Sequence, residues 1–168
     1  MKKFLALLAA SVAVPLLLAA CDESQDTPVA STDVQGIGAD LVQYGMVSYL
    51  TASGVREGRV QADTAYAFYD SATVKLRGMR LVFYNPDGSE RASVTADAGE
   101  LEENTDRMVA RGHVVLVVHG DGRKIETAEL NYDPDQDRIW SDSATVQTMP
   151  NGTVTRGTAF QSDLDFKN

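Results

Sequence analysis

The sequence predicts an all-β domain, because its apolar residues recur with a period of two and turn residues interrupt them at short intervals. Ala128, Leu130 and Tyr132 alternate with polar neighbours, as in a strand that is buried on one face. Residues 81–84 and 114–118 are apolar on both faces, which is typical of strands covered on both sides. Short runs of this kind, separated by turns, indicate consecutive antiparallel hairpins.

Turn signals divide the strand patterns from one another. The segments 85–88, 119–122, 133–135 and 150–152 combine Asn, Asp, Pro, His and Gly. Asn and Gly tolerate positive φ and Pro fixes φ, so such segments reverse the chain. The segment 37–51 fits either an amphipathic helix or a strand, and we favour the strand. The remaining strands alternate in the same way: Val60 and Ala62, Val74 and Leu76, and Val94, Ala96 and Ala98.

Internal repetition indicates that a unit of two to three strands recurs along the chain. Val-Gln-Ala-Asp at residues 60–63 returns as Val-Thr-Ala-Asp at residues 94–97, and Thr-Ala-Glu-Leu at residues 127–130 is a looser third copy. Asp-Arg-Met at residues 106–108 likewise returns as Asp-Arg-Ile at residues 137–139. Stacked units of this kind form a continuous sheet.

The beginning of the chain has the pattern of an export signal. Lys2 and Lys3 precede an apolar stretch, residues 4–20, and small residues stand before the single cysteine, Cys21. Residues 18–21, Leu-Ala-Ala-Cys, resemble the bacterial lipoprotein box, which implies cleavage before Cys21 and diacylation of its sulfur. The alternative is an uncleaved anchor, although a helix of this length spans about 25 Å of a hydrocarbon core of about 30 Å.

We therefore expect three parts in the chain. Residues 1–20 form a lipoprotein signal peptide, residues 21–36 carry the lipidated cysteine and a flexible tether, and residues 37–168 form the β domain. The tether is mostly polar, so burial of its side chains cannot offset the entropy lost on ordering it. Either form of anchor places the β domain outside the cytoplasm.

Charge and the missing motifs exclude several classes of function. Without residues 1–20 the chain has 13 Lys and Arg against 24 Asp and Glu, a net charge of −11 that repels nucleic acid. Neither His113 nor His119 stands in a nucleophile motif, so the sequence does not indicate an enzyme. Asp133, Asp135 and Asp137 lack the glycine and glutamate of a calcium loop. We expect no metal and no cofactor.

The segment between residues 60 and 166 resembles the OstA-like domain, and in particular the LptC-type periplasmic subunit of the lipopolysaccharide exporter. The motifs that carry the resemblance are Ala62-Asp63, Ala96-Asp97, residues 106–114, Asp121-Gly122, residues 126–130, Tyr132-Asp133 and residues 139–142. The resemblance implies an open, twisted antiparallel β-jellyroll whose apolar interior takes the acyl chains of lipopolysaccharide. It also implies that the lipid comes from an inner-membrane ABC transporter and passes to a bridging OstA-like protein.

The lipoprotein box departs from the family, whose members usually keep a transmembrane helix. Asp22 resembles the retention signal of enteric inner-membrane lipoproteins, which places the protein, lipid-anchored, at the periplasmic face of the inner membrane. The inner leaflet of the outer membrane is the alternative location. The alternative function is a cell-envelope scaffold that binds a protein partner but no lipid.

Strand alternation, combined with the resemblance, predicts which residues line the groove. Ala98 and Ala128 are further small residues expected to face the interior. We expect the groove to be a hydrocarbon-lined trough that the protein's own atoms leave empty, although a one-residue slip in register would reverse the assignment. The predicted groove residues are Val60, Ala62, Val94, Ala96, Leu101, Met108, Ala110, Leu116, Leu130, Tyr132, Trp140 and Val146.

The ends of an open jellyroll carry strands with unpaired backbone groups, which can add a strand from another protein. The carboxy-terminal strands, near residues 154–166, are expected to dock the bridging protein through Val154, Phe160 and Phe166. The first strands are expected to face the transporter.

Overall fold

A computed structural model of the protein describes residues 37–52 and 54–167. The predicted signal peptide, the tether and Cys21 therefore lie outside the described residues. Within the described ranges the protein is a ten-stranded antiparallel sheet, which confirms the predicted fold class. The ambiguous segment 37–51 forms most of the first strand, so the preference for a strand is confirmed.

The strands follow one another along the chain, and the first six are long. A single short 3-10 turn, Tyr69–Ser71, separates the second and third strands of the described chain. The strands are β1 (Leu41–Ala52), β2 (Val55–Phe68), β3 (Thr73–Tyr84), β4 (Glu90–Glu102), β5 (Arg107–Val118), β6 (Lys124–Asp133), β7 (Arg138–Ser141), β8 (Thr145–Thr148), β9 (Val154–Gly157) and β10 (Phe160–Ser162).

Hairpin succession determines the order of the strands in the sheet. The path runs β1-β2-β3-β4-β5-β6-β7-β10, and a branch leaves it where β8 pairs with β6 and β9 pairs with β8. Along this path, only the step from β7 to β10 joins strands that are not consecutive in the sequence. The sheet is open, because β1 and β10 at the two ends of the path do not pair with each other.

The repeated turn residues occupy equivalent positions in successive hairpins. Gly88 donates its N–H to the carbonyl of Asn85 at 2.9 Å, which closes the β3-β4 turn. Asp106 and Asp137 have φ of 53° and 48° at the ends of the turns that precede β5 and β7. The short side chain of Asp makes it one of the few residues that adopt this left-handed conformation readily. The repeated Asp-Arg pair in the sequence therefore marks equivalent turn ends.

The long strands bend near their middles. In β2 the buried residues Val60 and Ala62 are followed by buried Ala65, and in β3 Leu76 is followed by Met79. A regular strand would repeat its inward face every two residues, so a step of three shows a local irregularity that bends the strand.

A glycine on one strand meets an aspartate on the next strand at these bends. Gly78 of β3 has a φ of 60°, and a Cβ atom placed on it would overlap the carboxylate of Asp63 in β2. Gly112 of β5 has a φ of 75°, and its Cβ atom would lie 2.7 Å from Oδ2 of Asp97 in β4. Both aspartates end the Val-x-Ala-Asp repeat, so that repeat marks the bends of the sheet.

The bends fold the sheet onto itself, so that both halves of the long strands share one core. The ring centroids of Phe83, near the end of β3, and Tyr132, near the end of β6, lie 5.3 Å apart. Two strands lie between β3 and β6, and a flat sheet would separate them by about 14 Å. The inner faces of the two halves therefore face each other across an apolar interior.

The bends also overturn two of the predicted inward positions. Ala98 and Ala128 are exposed, whereas Gly99 and Leu130 are buried. The prediction assumed that every second residue faces inward along the whole strand. At the bend, successive inward residues are three positions apart instead of two. The prediction for these two alanines is therefore wrong.

Replacing Gly78 with Ala should destabilise the protein more than replacing Gly88 with Ala. Both glycines have positive φ, 60° and 85°, so both substitutions carry a backbone cost of about 1–2 kcal/mol. Only at Gly78 does the new methyl group meet a neighbour, Asp63. We expect the free energy of unfolding in urea to fall by about 1 kcal/mol more for Gly78→Ala.

The double variant Gly78→Ala, Asp63→Ala tests whether this contact is the cause. Removing the carboxylate should abolish most of the extra destabilisation relative to Asp63→Ala alone. Equal losses for Gly78→Ala and Gly88→Ala would contradict the contact at the bend.

Candidate functional site

Ten of the twelve residues predicted to line the groove lie in the interior of the folded sheet. They come from four strands, β2, β4, β5 and β6, and belong to one buried apolar cluster. These residues are Val60, Ala62, Val94, Ala96, Leu101, Met108, Ala110, Leu116, Leu130 and Tyr132.

Trp140 and Val146 face the other way. Trp140 is half-buried next to fully buried Ile139, and the guanidinium of Arg138 lies 4.5 Å from the centroid of its ring. Val146 pairs with Glu126 on the face opposite the core. The inward direction predicted for both residues is wrong, because each turn between strands resets which residues of the next strand face the core.

The interior is closed by the protein's own side chains. Val60 and Ile139 have 0% of their surface exposed, Leu116 has 1%, and even Ala96 has only 9%. Residues that lined a water-accessible space would keep more exposed surface. The expectation of an empty trough is therefore wrong for this conformation, and an acyl chain can enter only if the two halves of the sheet separate.

Several interior side chains are suited to such rearrangement. Met46, Met79 and Met108 are unbranched and flexible, and residues of this kind fill irregular spaces in cores. The sulfur of Met79 occupies the space where Gly99 would carry a Cβ atom. Met79 has three rotatable side-chain bonds, so it is among the more adaptable residues of this interior.

The tail segment, residues 163–167, runs from one half of the sheet to the other. The backbone N–H of Leu164 donates to the carboxylate of Asp137, in the turn before β7, at 3.2 Å. In the other half, Arg91 of β4 binds the carboxylate of Asp165 at 2.8 Å. The tail segment therefore bridges the strand ends of the two halves, and we call this the open side of the folded sheet.

Phe166 turns into the interior near the end of the tail segment. Its side chain is 5% exposed, and the centroid of its ring lies 5.8 Å from that of Phe83. The guanidinium of Arg123 donates to the carbonyl oxygen of Phe166. Phe166 has a φ of 57°, an unfavourable conformation for an aromatic residue. Phe166, predicted to dock the bridging protein, thus belongs to the core and is not exposed at the surface.

Three strands in the described ranges present an unpaired edge. β1 pairs only with β2, β9 pairs only with β8, and β10 pairs only with β7. All four residues of β9 are exposed, Val154 among them, while Phe160 of β10 is half-buried and packs on the core. β1 carries four exposed large apolar residues: Leu41, Tyr44, Val47 and Tyr49.

Both histidines of the described residues lie near a carboxylate at the surface. Nδ1 of His113 lies 2.6 Å from the carboxylate of Asp97, whose hydrogen bond and charge raise the pKa of His113. His119 lies 3.7 Å from Glu90. No three side chains of the described part gather as metal ligands, and no helix in it is long and apolar enough to cross a membrane.

One comparison with known proteins bears on the family. The family model for lipopolysaccharide-assembly, LptC-related proteins matches residues 5–168, which include every described strand. No curated protein matches the chain.

Proposed function

The chain belongs to the LptC family, a periplasmic component of lipopolysaccharide transport associated with the inner membrane, and we propose that it passes lipopolysaccharide from an ABC transporter to a bridging jellyroll protein. The observation that supports this proposal is the folded sheet, whose two halves enclose a single apolar interior. Residues at this interior can contact acyl chains when the halves separate.

The closed interior suits a carrier that has to release its ligand. Burial of about ten methylene groups is worth on the order of 8 kcal/mol per acyl chain before the costs of binding. Opening the interior breaks apolar contacts between the protein's own side chains, so entry of an acyl chain exchanges one set of apolar contacts for another. The net affinity is then moderate, and the lipid can move on to the next protein.

The direction of transport has to come from another protein. The sequence contains no glycine-rich phosphate loop with its lysine, so this chain has no such site for ATP. We propose that the transporter supplies the energy and that this protein supplies a path for the acyl chains.

The same closed interior favours a second candidate, a cell-envelope scaffold. A domain filled by its own side chains does not require a lipid for stability, and its edge strands alone could hold a partner protein. This candidate differs from the carrier in one respect, since its interior never contacts lipid.

Photo-crosslinking in intact cells separates the two candidates. A photoreactive phenylalanine analogue in place of Leu116 or Tyr132, which are buried, should capture lipopolysaccharide. The same analogue in place of Trp140, Lys75 or Arg77, on the outer face or exposed, should capture little. Equal capture from both sets would contradict the assignment of the groove. If the interior sites capture no lipid while partner proteins still bind, the scaffold is correct.

We propose that the unpaired edges of β1 and β9 bind different partners. The edge of β1, with its exposed apolar residues, faces the transporter, and the edge of β9 faces the bridging protein. Exposed strand edges of this kind pair readily with a strand of another protein, and a charged side chain at the edge hinders such pairing.

Val47 and Val154 provide a matched test, because they are 48% and 47% exposed on β1 and β9. Val154→Glu should weaken binding of the bridging protein about tenfold, which corresponds to about 1.4 kcal/mol, and leave binding of the transporter unchanged. Val47→Glu should have the opposite effect. Pull-down of both partners from membranes measures this, and loss of the same partner in both variants would argue against separate edges.

The anchor is proposed from the sequence, since Cys21 lies outside the described residues. Cleavage before Cys21 and diacylation of its sulfur would hold the protein on the periplasmic face of the inner membrane. Cys21→Ser should release the protein from the membrane fraction. Mass spectrometry of the protein without this substitution should show a diacylated Cys21. An intact segment 1–20 in that spectrum would favour the uncleaved anchor.

A further inference from the structure

We propose that Arg91 and Arg123, with the apolar core beneath them, form a binding site for the phosphate group of a lipid whose acyl chain enters the core. The tail segment occupies this site when no lipid is bound. The inference rests on the proposed transport function and names a recognition site within it. The inferred site binds the anionic group of the lipid, whereas the groove residues contact its hydrocarbon chains.

The two arginines lie on either side of the end of β5. The backbone N–H of His119 donates to the carbonyl of Arg91 at 2.9 Å, and that of Val118 donates to the carbonyl of Arg123 at 3.0 Å. The side chains of the two arginines are only 21% and 15% exposed. The rim of the interior therefore carries two largely buried positive charges on adjacent backbone segments.

The hydrogen-bonding capacity of these arginines is incompletely used. Arg91 binds the carboxylate of Asp165, while Arg123 binds the carbonyl of Phe166 and lies 3.4 Å from Asp121. The Nε atom of Arg91 is buried without a hydrogen-bond partner, whereas that of Arg123 faces the carboxylate of Asp121 at 3.4 Å without forming a hydrogen bond. A phosphate offers more acceptor oxygens than the tail segment does, and arginine binds phosphate strongly through paired hydrogen bonds.

The tail segment has the chemical order of the ligand that we infer. Asp165 supplies a negative charge at the rim, and the next residue, Phe166, places an apolar group in the core against Phe83. The hydrogen bond and charge of Lys167, with a smaller contribution from Arg91, lower the pKa of Asp165, so its carboxylate stays ionised at neutral pH. A phosphate followed by an acyl chain would place the same two groups in the same two positions.

The tail segment is held in a way that permits its release. The left-handed backbone of Phe166 is unfavourable, and Asp165 is half exposed to water, which weakens its ion pair with Arg91. An incoming lipid that satisfies both arginines and fills the space of the Phe166 ring replaces each contact that the tail segment makes there.

The test uses the full chain with a photoreactive phenylalanine analogue in place of Tyr132. It is mixed with phosphatidylcholine vesicles that contain the phosphorylated lipid portion of lipopolysaccharide, the same lipid without phosphates, or phosphatidylglycerol. The measurement is the ratio of captured phosphorylated lipid to captured phosphate-free lipid. This ratio does not depend on the fraction of protein that is folded.

We expect the phosphorylated lipid to be captured roughly tenfold more than its phosphate-free counterpart, as for a site with about 1.4 kcal/mol of preference. The double variant Arg91→Gln, Arg123→Gln should reduce this ratio to about one. The control Arg111→Gln, at an exposed arginine of the outer face, should leave the ratio unchanged. Asp165→Asn and Phe166→Ala, which loosen the tail segment, should each raise capture of the phosphorylated lipid severalfold.

The outcomes separate this inference from the proposed function. Equal capture of the lipids with and without phosphate would overturn the arginine site and leave the carrier function intact. Unchanged capture in both Asp165→Asn and Phe166→Ala would overturn the role of the tail segment. No capture of any lipid by any variant would overturn the carrier function, and the inference with it. Capture of phosphatidylglycerol equal to that of the phosphorylated lipid would support the site and show that it recognises a phosphate group on any lipid with acyl chains.

Discussion

The contact between a glycine and an aspartate at two successive bends is the constraint on which the rest of the structure depends. Gly78 faces Asp63 and Gly112 faces Asp97, and in both cases the aspartate occupies the space that a Cβ atom would need. Because these bends follow one another across the sheet, one continuous sheet can turn its two halves toward each other. Without them the long strands would form an open surface whose apolar face had no partner, and such a sheet would aggregate at its exposed face.

The folded sheet gives the protein an interior that is complete without a ligand. Phe83 and Tyr132 meet across it, and Phe166 of the tail segment joins them from the open side. The apolar side chains of this interior are buried without a ligand, although β1 exposes apolar side chains outside it. In the proposed carrier function, the affinity for lipid is set by a difference between two sets of similar contacts, which favours transfer over retention.

The open side of the folded sheet carries two positive charges, whereas the molecule as a whole is negatively charged. The chain is acidic, with a net charge of −9, so at long range it repels anionic lipid headgroups. Arg91 and Arg123 are exceptions at the rim, where the tail segment supplies the anionic partner. A short-range positive site within an acidic surface selects for ligands that already contact the protein through their hydrocarbon.

The sequence by itself determined the all-β class, the strand β1, the hairpin turns and the LptC family, and these predictions are confirmed. Ten of the twelve residues that alternation, combined with the family resemblance, predicted to line the groove lie in the interior, because a half-buried strand needs apolar side chains on one face. Only the tertiary structure decided the directions of Trp140 and Val146, the exposure of Ala98 and the burial of Phe166. Alternation relates a residue only to its neighbours within an uninterrupted strand, so it loses the inward face at every bend and turn. Whether the interior is open or filled depends on how distant halves of the sheet pack, and no local pattern in the sequence contains that information.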